Sequence, residues 1–312
     1  MYVARTHDID EQAALLRGWN QTYDQISAGT FEGAFLEADL DGVQLFREVT
    51  SNALHQIGVL RAGTVAVGVP LALRGNATFC GQPCDGTQLH VFSGDDAFEF
   101  LSPCGLDIAG FILEEEGLRE VLTAEEQETV MPSLGRPHLR PARPHAAERM
   151  RRLFADACDM LTHCPEIASD GVRFSAMSRD MAAGLVSALA YDSADGSEAV
   201  PQPRRSRIVR QARELAAAGN DGGAVTVEEL CRRLGVSRRA LQYCFLETLG
   251  IPPSTYLRAV RLNGARRAIK CATSVADAAT LWGFWHLGRF ARDYKLMFGE
   301  LPSEAFRRFH GS

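Results

Sequence analysis

Lysine is almost missing from this chain: Lys270 and Lys295 are the only two in 312 residues. The basic complement is otherwise arginine, whose planar fork suits bidentate contacts with phosphate and guanine, although a GC-rich genome produces the same bias. Long apolar runs are also missing. The longest weakly apolar stretch, Met181 to Tyr191, falls well short of the about 20 residues that span a bilayer. No Gly-x-Ser-x-Gly elbow, phosphate-binding glycine loop or metalloprotease His pair occurs, so the common hydrolase and nucleotidase motifs are excluded. Met1 to Asp8 lack the apolar core of a signal peptide, which predicts a cytoplasmic protein with its eight cysteines reduced. A 46% hydrophobic, 23% charged composition excludes disorder, and the length predicts two domains.

Charge is divided unevenly. Residues 201–312 hold 19 basic and 9 acidic groups, a net of +10, and the other 200 residues hold 14 and 30, a net of -16. This split predicts a basic module for a polyanion joined to an acidic module with another task. Residues 193–203, rich in Ser, Ala, Gly and Pro without hydrophobic period, predict the linker. The predicted domains are therefore 1–192 and 204–312.

In the acidic part, residues 8–28 read as a helix with Leu15, Leu16, Trp19 and Tyr23 on one side. From about residue 35 to 115, short apolar runs such as Val65 to Val69, Leu89 to Phe92 and Ile108 to Leu113 alternate with Gly, Pro, Asn and Asp. They predict an antiparallel sandwich or barrel, whose interior is a natural place for an effector. The carboxylate run Glu114 to Glu116 predicts the start of a surface helix. Two further apolar stripes, one from Met150 to Leu161 and one through Met177, Met181, Leu185 and Leu189, predict a helical pair. It serves either as cover for its own domain or as a dimer face.

The basic part contains an internal repeat. Thr226 and Ser274 each stand three residues before a carboxylate (Glu229, Asp277), the pattern of a capped helix start. Leu234-Gly235-Val236 corresponds to Trp282-Gly283-Phe284, and Leu241, Phe245 and Gly250 correspond to Phe290, Tyr294 and Gly299. Both copies spell helix, glycine turn, helix. Apolar residues at i and i+4 face inward, leaving Arg238, Arg239, Gln242 and Tyr243 outward on one second helix and Arg289 and Arg292 on the other. Arg and Gln on such a face suit guanine and adenine edges in a major groove, so these six are the predicted base contacts. Ser237, Arg261, Arg266, Arg267, Lys295 and Arg307 are the predicted backbone contacts. A long helix from Ser254 to Cys271 would set the two reading helices apart, and adjacent major grooves lie roughly 34 Å from each other.

Residues 204–309, through Leu230 to Leu241 and the closing Gly299-Glu300-Leu301-Pro302 to Arg308, resemble the DNA-binding domain of AraC/XylS transcription regulators. The resemblance implies a non-enzymatic, dimeric activator that binds promoter DNA and RNA polymerase, with a cupin-like N-terminal sensor domain. The fold expected is α+β, an N-terminal barrel or sandwich with a helical pair and a C-terminal all-α double helix-turn-helix. A narrower resemblance, in Trp282 to Gly288, Val236 to Gln242, Tyr23 to Gln25, Phe31 to Gly33 and Gln44 to Glu48, is to regulators of ethanolamine-utilisation operons. It implies ethanolamine with cobalamin as effectors. Cys80, Cys84 and Cys104, with His90, are loosely spaced; small-residue packing is the ordinary reading. The alternative is zinc and a DNA-alkylation sensor or repair protein. A third reading is an architectural DNA binder without a ligand, favoured if the barrel interior is filled by its own side chains.

Overall fold

A computed structural model describes residues 1–40, 43–142, 144–164, 184, 204–218 and 225–311. The predicted linker and the Met177–Leu189 stripe lie outside them. The chain forms two compact units. The first contains Met1–Tyr23, Glu32–Ser51 and Gln56–Pro201; the second contains Gln202–Ser312 together with two short N-terminal segments, Asp24–Phe31 and Asn52–His55.

The first unit is built on an antiparallel sandwich. Seven strands run in the order β1 (Tyr2–Thr6), β3 (Gly33–Leu40), β4 (Val43–Thr50), β11 (Leu106–Glu114), β6 (Thr64–Ala72), β9 (Gln88–Ser93) and β12 (His138–Pro141). The second sheet runs β2 (Trp19–Gln25), β5 (Leu54–Leu60), β10 (Phe98–Ser102), β7 (Ala77–Phe79) and β8 (Gln82–Cys84). Because side chains alternate along a strand, β3, β4, β6, β9 and β11 each feed two cores. Val65, Val67, Val69, Leu89, Val91, Ala109 and Phe111 face helices α2 (Glu115–Val121), α3 (Ala124–Leu134) and α4 (Pro144–His163). Phe35, Phe46, Ala66, Phe92, Ile108 and Ile112 instead meet Phe79, Phe98 and Phe100 of the small sheet.

The stripe Met150, Phe154, Ala157, Cys158 and Leu161 of α4 is buried in the first of these cores. It covers its own sheet, which decides that half of the helical-pair question. Glu115 starts α2 as expected. The helix expected over residues 8–28 is shorter: α1 is Ile9–Leu15, and Trp19–Gln25 is strand β2. Gly18, at φ 79, breaks the helix, and beyond it Trp19, Gln21, Tyr23 and Gln25 alternate with more exposed neighbours in the period of a strand.

Aromatic side chains pack between the two sheets. Trp19, Phe92, Phe98 and Phe79 pack edge-on at centroid distances of 4.9 to 5.4 Å, and His90 stacks on Phe79 at 4.9 Å. Burial in this apolar layer pushes the His90 pKa down to about 3, so the ring is neutral. A polar network lies near one end. Tyr23 donates to both oxygens of Glu48 at 3.0 and 3.2 Å, and Gln12 Nε2 donates to Glu48 Oε1 at 3.0 Å. Burial raises the Glu48 pKa to about 7, against the opposing pull of those donors.

The second unit is helical: α5 (Arg204–Ala218), α6 (Val227–Leu234), α7 (Arg238–Leu249), α8 (Pro253–Ile269), α9 (Val275–Leu281), α10 (Leu287–Phe298) and α11 (Pro302–His310). One core joins α5, α6, α7 and the first half of α8 through Val209, Leu230, Leu241, Phe245 and Tyr256. The other joins the second half of α8 to α9, α10 and α11 through Leu262, Ile269, Phe290, Tyr294 and Ala305. The N-terminal segments are hydrogen-bonded into this unit. Gln25 N–H donates to Asn263 Oδ1 (3.0 Å), and Asn263 Nδ2 donates to Gln25 O (2.8 Å). Gln25 Nε2 donates to Met297 O at 2.7 Å. His55 Nδ1 lies 3.0 Å from the Tyr256 hydroxyl, and Arg213 Nη1 lies 3.4 Å from His55 Nε2. Arginine is only a donor, so Nε2 accepts and the neutral ring carries its proton on Nδ1.

Candidate nucleic-acid interface

Both helix-turn-helix copies start and turn as their sequence requires. Thr226 Oγ1 accepts from Glu229 N–H at 3.2 Å, and Ser274 Oγ accepts from Asp277 N–H at 3.1 Å. The turn glycines Gly235 and Gly283 stand at φ 63 and 75, where a Cβ would be strained. Gly250 and Gly299 then close α7 and α10 in the left-handed conformation. Leu241, Phe245, Phe290 and Tyr294 are buried, as the i, i+4 pattern requires.

Six predicted base contacts sit on the opposite faces. Arg238, Arg239, Gln242, Arg289 and Arg292 are exposed. Arg238 pairs with Glu228 at 3.2 Å, and both groups remain mostly exposed, so water and salt weaken the pair and leave the guanidinium available. Arg289 lies 3.9 Å from Asp293, which Arg258 of α8 also engages. Tyr243 is 53% exposed, but its hydroxyl accepts from Arg205 of α5 at 3.4 Å. That side chain is therefore shared between α7 and α5.

The six expected backbone contacts divide. Ser237, Lys295 and Arg307 are exposed, and Ser237 also caps α7 by accepting from Ala240 N–H. Arg261 is half-buried with its guanidinium 4.9 Å from the Phe284 ring centroid. Arg266 does not fit the expectation: it is only 4% exposed and lies over Phe298 at 5.5 Å. Its position four residues after buried Leu262 puts it on the packed face of α8, out of reach of a phosphate. Arg267 is engaged by Asp24 at 2.7 Å, so its charge is already compensated.

Among the described residues no group of three or more His, Cys, Asp or Glu could hold an ion. Burial pushes the Cys80 and Cys84 thiols up to about 12, and His90 is enclosed by Phe79 and Phe100. No helix among the described residues is long and apolar enough to cross a membrane.

Sequence reasoning missed the contribution of Asp24–Phe31 and Asn52–His55 to this unit. Gln25 and Asn263 are 238 positions apart, and nothing local in either announces the other.

Residues 230–308 match the family model described as a helix-turn-helix domain. The chain is 40% identical over 111 residues to a probable thc operon regulatory protein of Rhodococcus erythropolis, covering 34% of this chain and 33% of the relative. It is 34% identical over 88 residues to a XylDLEGF operon transcriptional activator of Pseudomonas putida, covering 27% of each. A solved structure of a probable AraC family transcriptional regulator from Rhodopseudomonas palustris is 36% identical, over 33% of this chain and 97% of that one, with a TM-score of 0.31. The chain thus matches about a third or less of the length of these curated relatives. Residues 230–308 thus carry a helix-turn-helix domain.

Proposed function

We propose that the protein is a sequence-specific DNA-binding transcription regulator of the AraC/XylS type, an activator rather than an enzyme, working in the cytoplasm. The observation that carries this is the pair of capped helix-turn-helix motifs within one basic unit, each presenting arginine on the exposed face of its second helix. Arg238, Arg239, Gln242, Tyr243, Arg289 and Arg292 are the proposed base-reading set, with Ser237, Arg261, Lys295 and Arg307 toward phosphates. Double-stranded promoter DNA and RNA polymerase are the proposed partners, and a homodimer the proposed working form. The test is to select duplexes from a random pool and compare wild type with Arg239→Ala and Gln242→Ala. A side chain that reads a base should cost about 1–3 kcal/mol on the selected sequence and relax preference at one position. Equal loss on scrambled DNA would reassign it to phosphate.

The acidic first unit is the proposed effector module, and ethanolamine with cobalamin is the finer reading. Part of its support lies outside any sensor site. Trp282 packs over Gly264, and Phe284 underlies Arg261, so those shared residues serve the core of the second unit. The aromatic layer between the sheets favours a second reading, a DNA binder that needs no ligand. Thermal melts of the full chain with ethanolamine, adenosylcobalamin and both together separate the two: a ligand-dependent rise supports the sensor.

A further inference from the structure

A helix is a poor spacer where it can bend, and α8 is weakest near its centre. Asn263 and Gly264 stand side by side there, both poor helix formers, and a Cβ at Gly264 would strike the Trp282 indole. The seam between the two cores of the second unit falls at the same place: Tyr256 and Val260 belong to one core, Leu262 and Ala265 to the other. The two N-terminal segments bridge this seam. Gln25 pairs with Asn263 through both of its backbone groups, and Asp24 engages Arg267 at 2.7 Å. Met297 O of α10 accepts from Gln25 Nε2 at 2.7 Å and from Gly29 N–H at 3.1 Å. Asp24–Phe31 is therefore tied to the second motif's side. Asn52–His55 is tied to the first, where His55 bonds Tyr256 of α8 and Arg213 of α5. The segments are tied to each other as well: Ile26 N–H donates to Ala53 O and Ala53 N–H to Ser27 Oγ, each at 2.9 Å. Ile26 also packs against both cores. A second mechanical path between the motifs thus runs alongside the α8 backbone.

Resting on the regulator reading above, we propose that Asp24–Phe31 and Asn52–His55 form a splint across the centre of α8, holding α7 and α10 at one separation and angle and so fixing the spacing of the two base-pair stretches that the protein accepts. Ile26 and Ser27 are then positioning residues. They touch no DNA and lie outside both motifs, yet they set a specificity that neither motif has by itself. A rod free to flex at Asn263 and Gly264 would let the second reading helix follow a displaced stretch; a splinted rod cannot.

The experiment titrates the full chain, by anisotropy, with a duplex selected from a random pool and with the same duplex carrying one base pair inserted between the two covered stretches. The insertion turns one stretch by about 34–36° relative to the other. For wild type it should cost contacts of one motif, a loss of about fivefold to 150-fold for one good bidentate pair. Ile26→Ala with Ser27→Ala should shrink that ratio by at least about twofold, and Ile26→Leu should keep it. Ser27→Ala alone is the milder cut should the double variant melt early. A variant that merely unfolds part of the population weakens both duplexes equally; a ratio left at the wild-type value overturns the proposal. Spin labels attached without cysteine at exposed Leu246 of α7 and Leu296 of α10 read the separation in the absence of DNA. The wild-type distance distribution should be narrow and should broaden in the double variant below its melt; equal widths overturn the splint. A chain that selects no duplex refutes the regulator reading, and the label distances then decide the splint alone.

Discussion

Asn263 is the residue of the second unit whose removal should be felt most for its size. It is 1% exposed, and its amide completes both backbone hydrogen bonds of Gln25, accepting at 3.0 Å and donating at 2.8 Å, with a second donation to Ala259 O at 2.8 Å. Ala259 O belongs to helix α8, so losing the amide costs it little. Gln25 N–H and C=O lose the partner that both of these bonds supply. Leaving a buried polar group unpaired costs about 1–3 kcal/mol, so Asn263→Ala should destabilise by about 1–3 kcal/mol if water reaches one of the two and by about 2–6 kcal/mol if it reaches neither. At about 4–8 °C per kcal/mol for a small domain, the melt of the second unit should fall by about 4 °C or more. The assay is differential scanning calorimetry of the full chain, with Asn20→Ala at an exposed position as control. A fall of less than about 3 °C would show that Gln25 finds other partners, and that its segment is not held through this amide.

Three other outcomes follow from the geometry. Glu48 holds its proton up to about pH 7 when folded and releases it near 4.5 when unfolded. The folded state thus binds the extra proton between those values, and stability falls as pH rises through that window, by about 3 kcal/mol at most. Glu48→Gln should flatten that part of the pH–Tm profile; an unchanged slope would assign the titration elsewhere. Thr226→Ala removes the cap of α6 and should cost about 1 kcal/mol in urea denaturation, whereas an unchanged midpoint would show that water replaces the hydroxyl. Gly110→Ala would drive a methyl group against Val67 O and to 2.8 Å from the Phe46 ring, costing about 1–3 kcal/mol. A neutral melt there would mean that β11 can shift within the sheet.

The basic half was legible because its information is local. Caps, turn glycines and i, i+4 apolar pairs lie within a dozen residues of one another, and Thr226, Gly235, Leu241 and Phe245 stand where those patterns put them. Individual side chains were less legible. Arg266 reads as one more surface cation until its spacing from Leu262 is set against the burial of both. In the acidic half, Trp19 and Tyr23 satisfy a helical i, i+4 spacing and a strand's alternation equally well, and Gly18 decides for the strand. The Glu48 network and the pairing of Gln25 with Asn263 join distant parts of the chain, which periodicity does not reach.

The threading of Asp24–Phe31 and Asn52–His55 into the second unit bears on how such a protein can be recombined. A crossover at the junction near Gln202 would transplant the reading helices without the strand ends that satisfy Asn263, Tyr256 and Arg213. A chimera made that way inherits exposed polar seams, and a viable exchange of sensors has to carry those two short N-terminal pieces along with the reader.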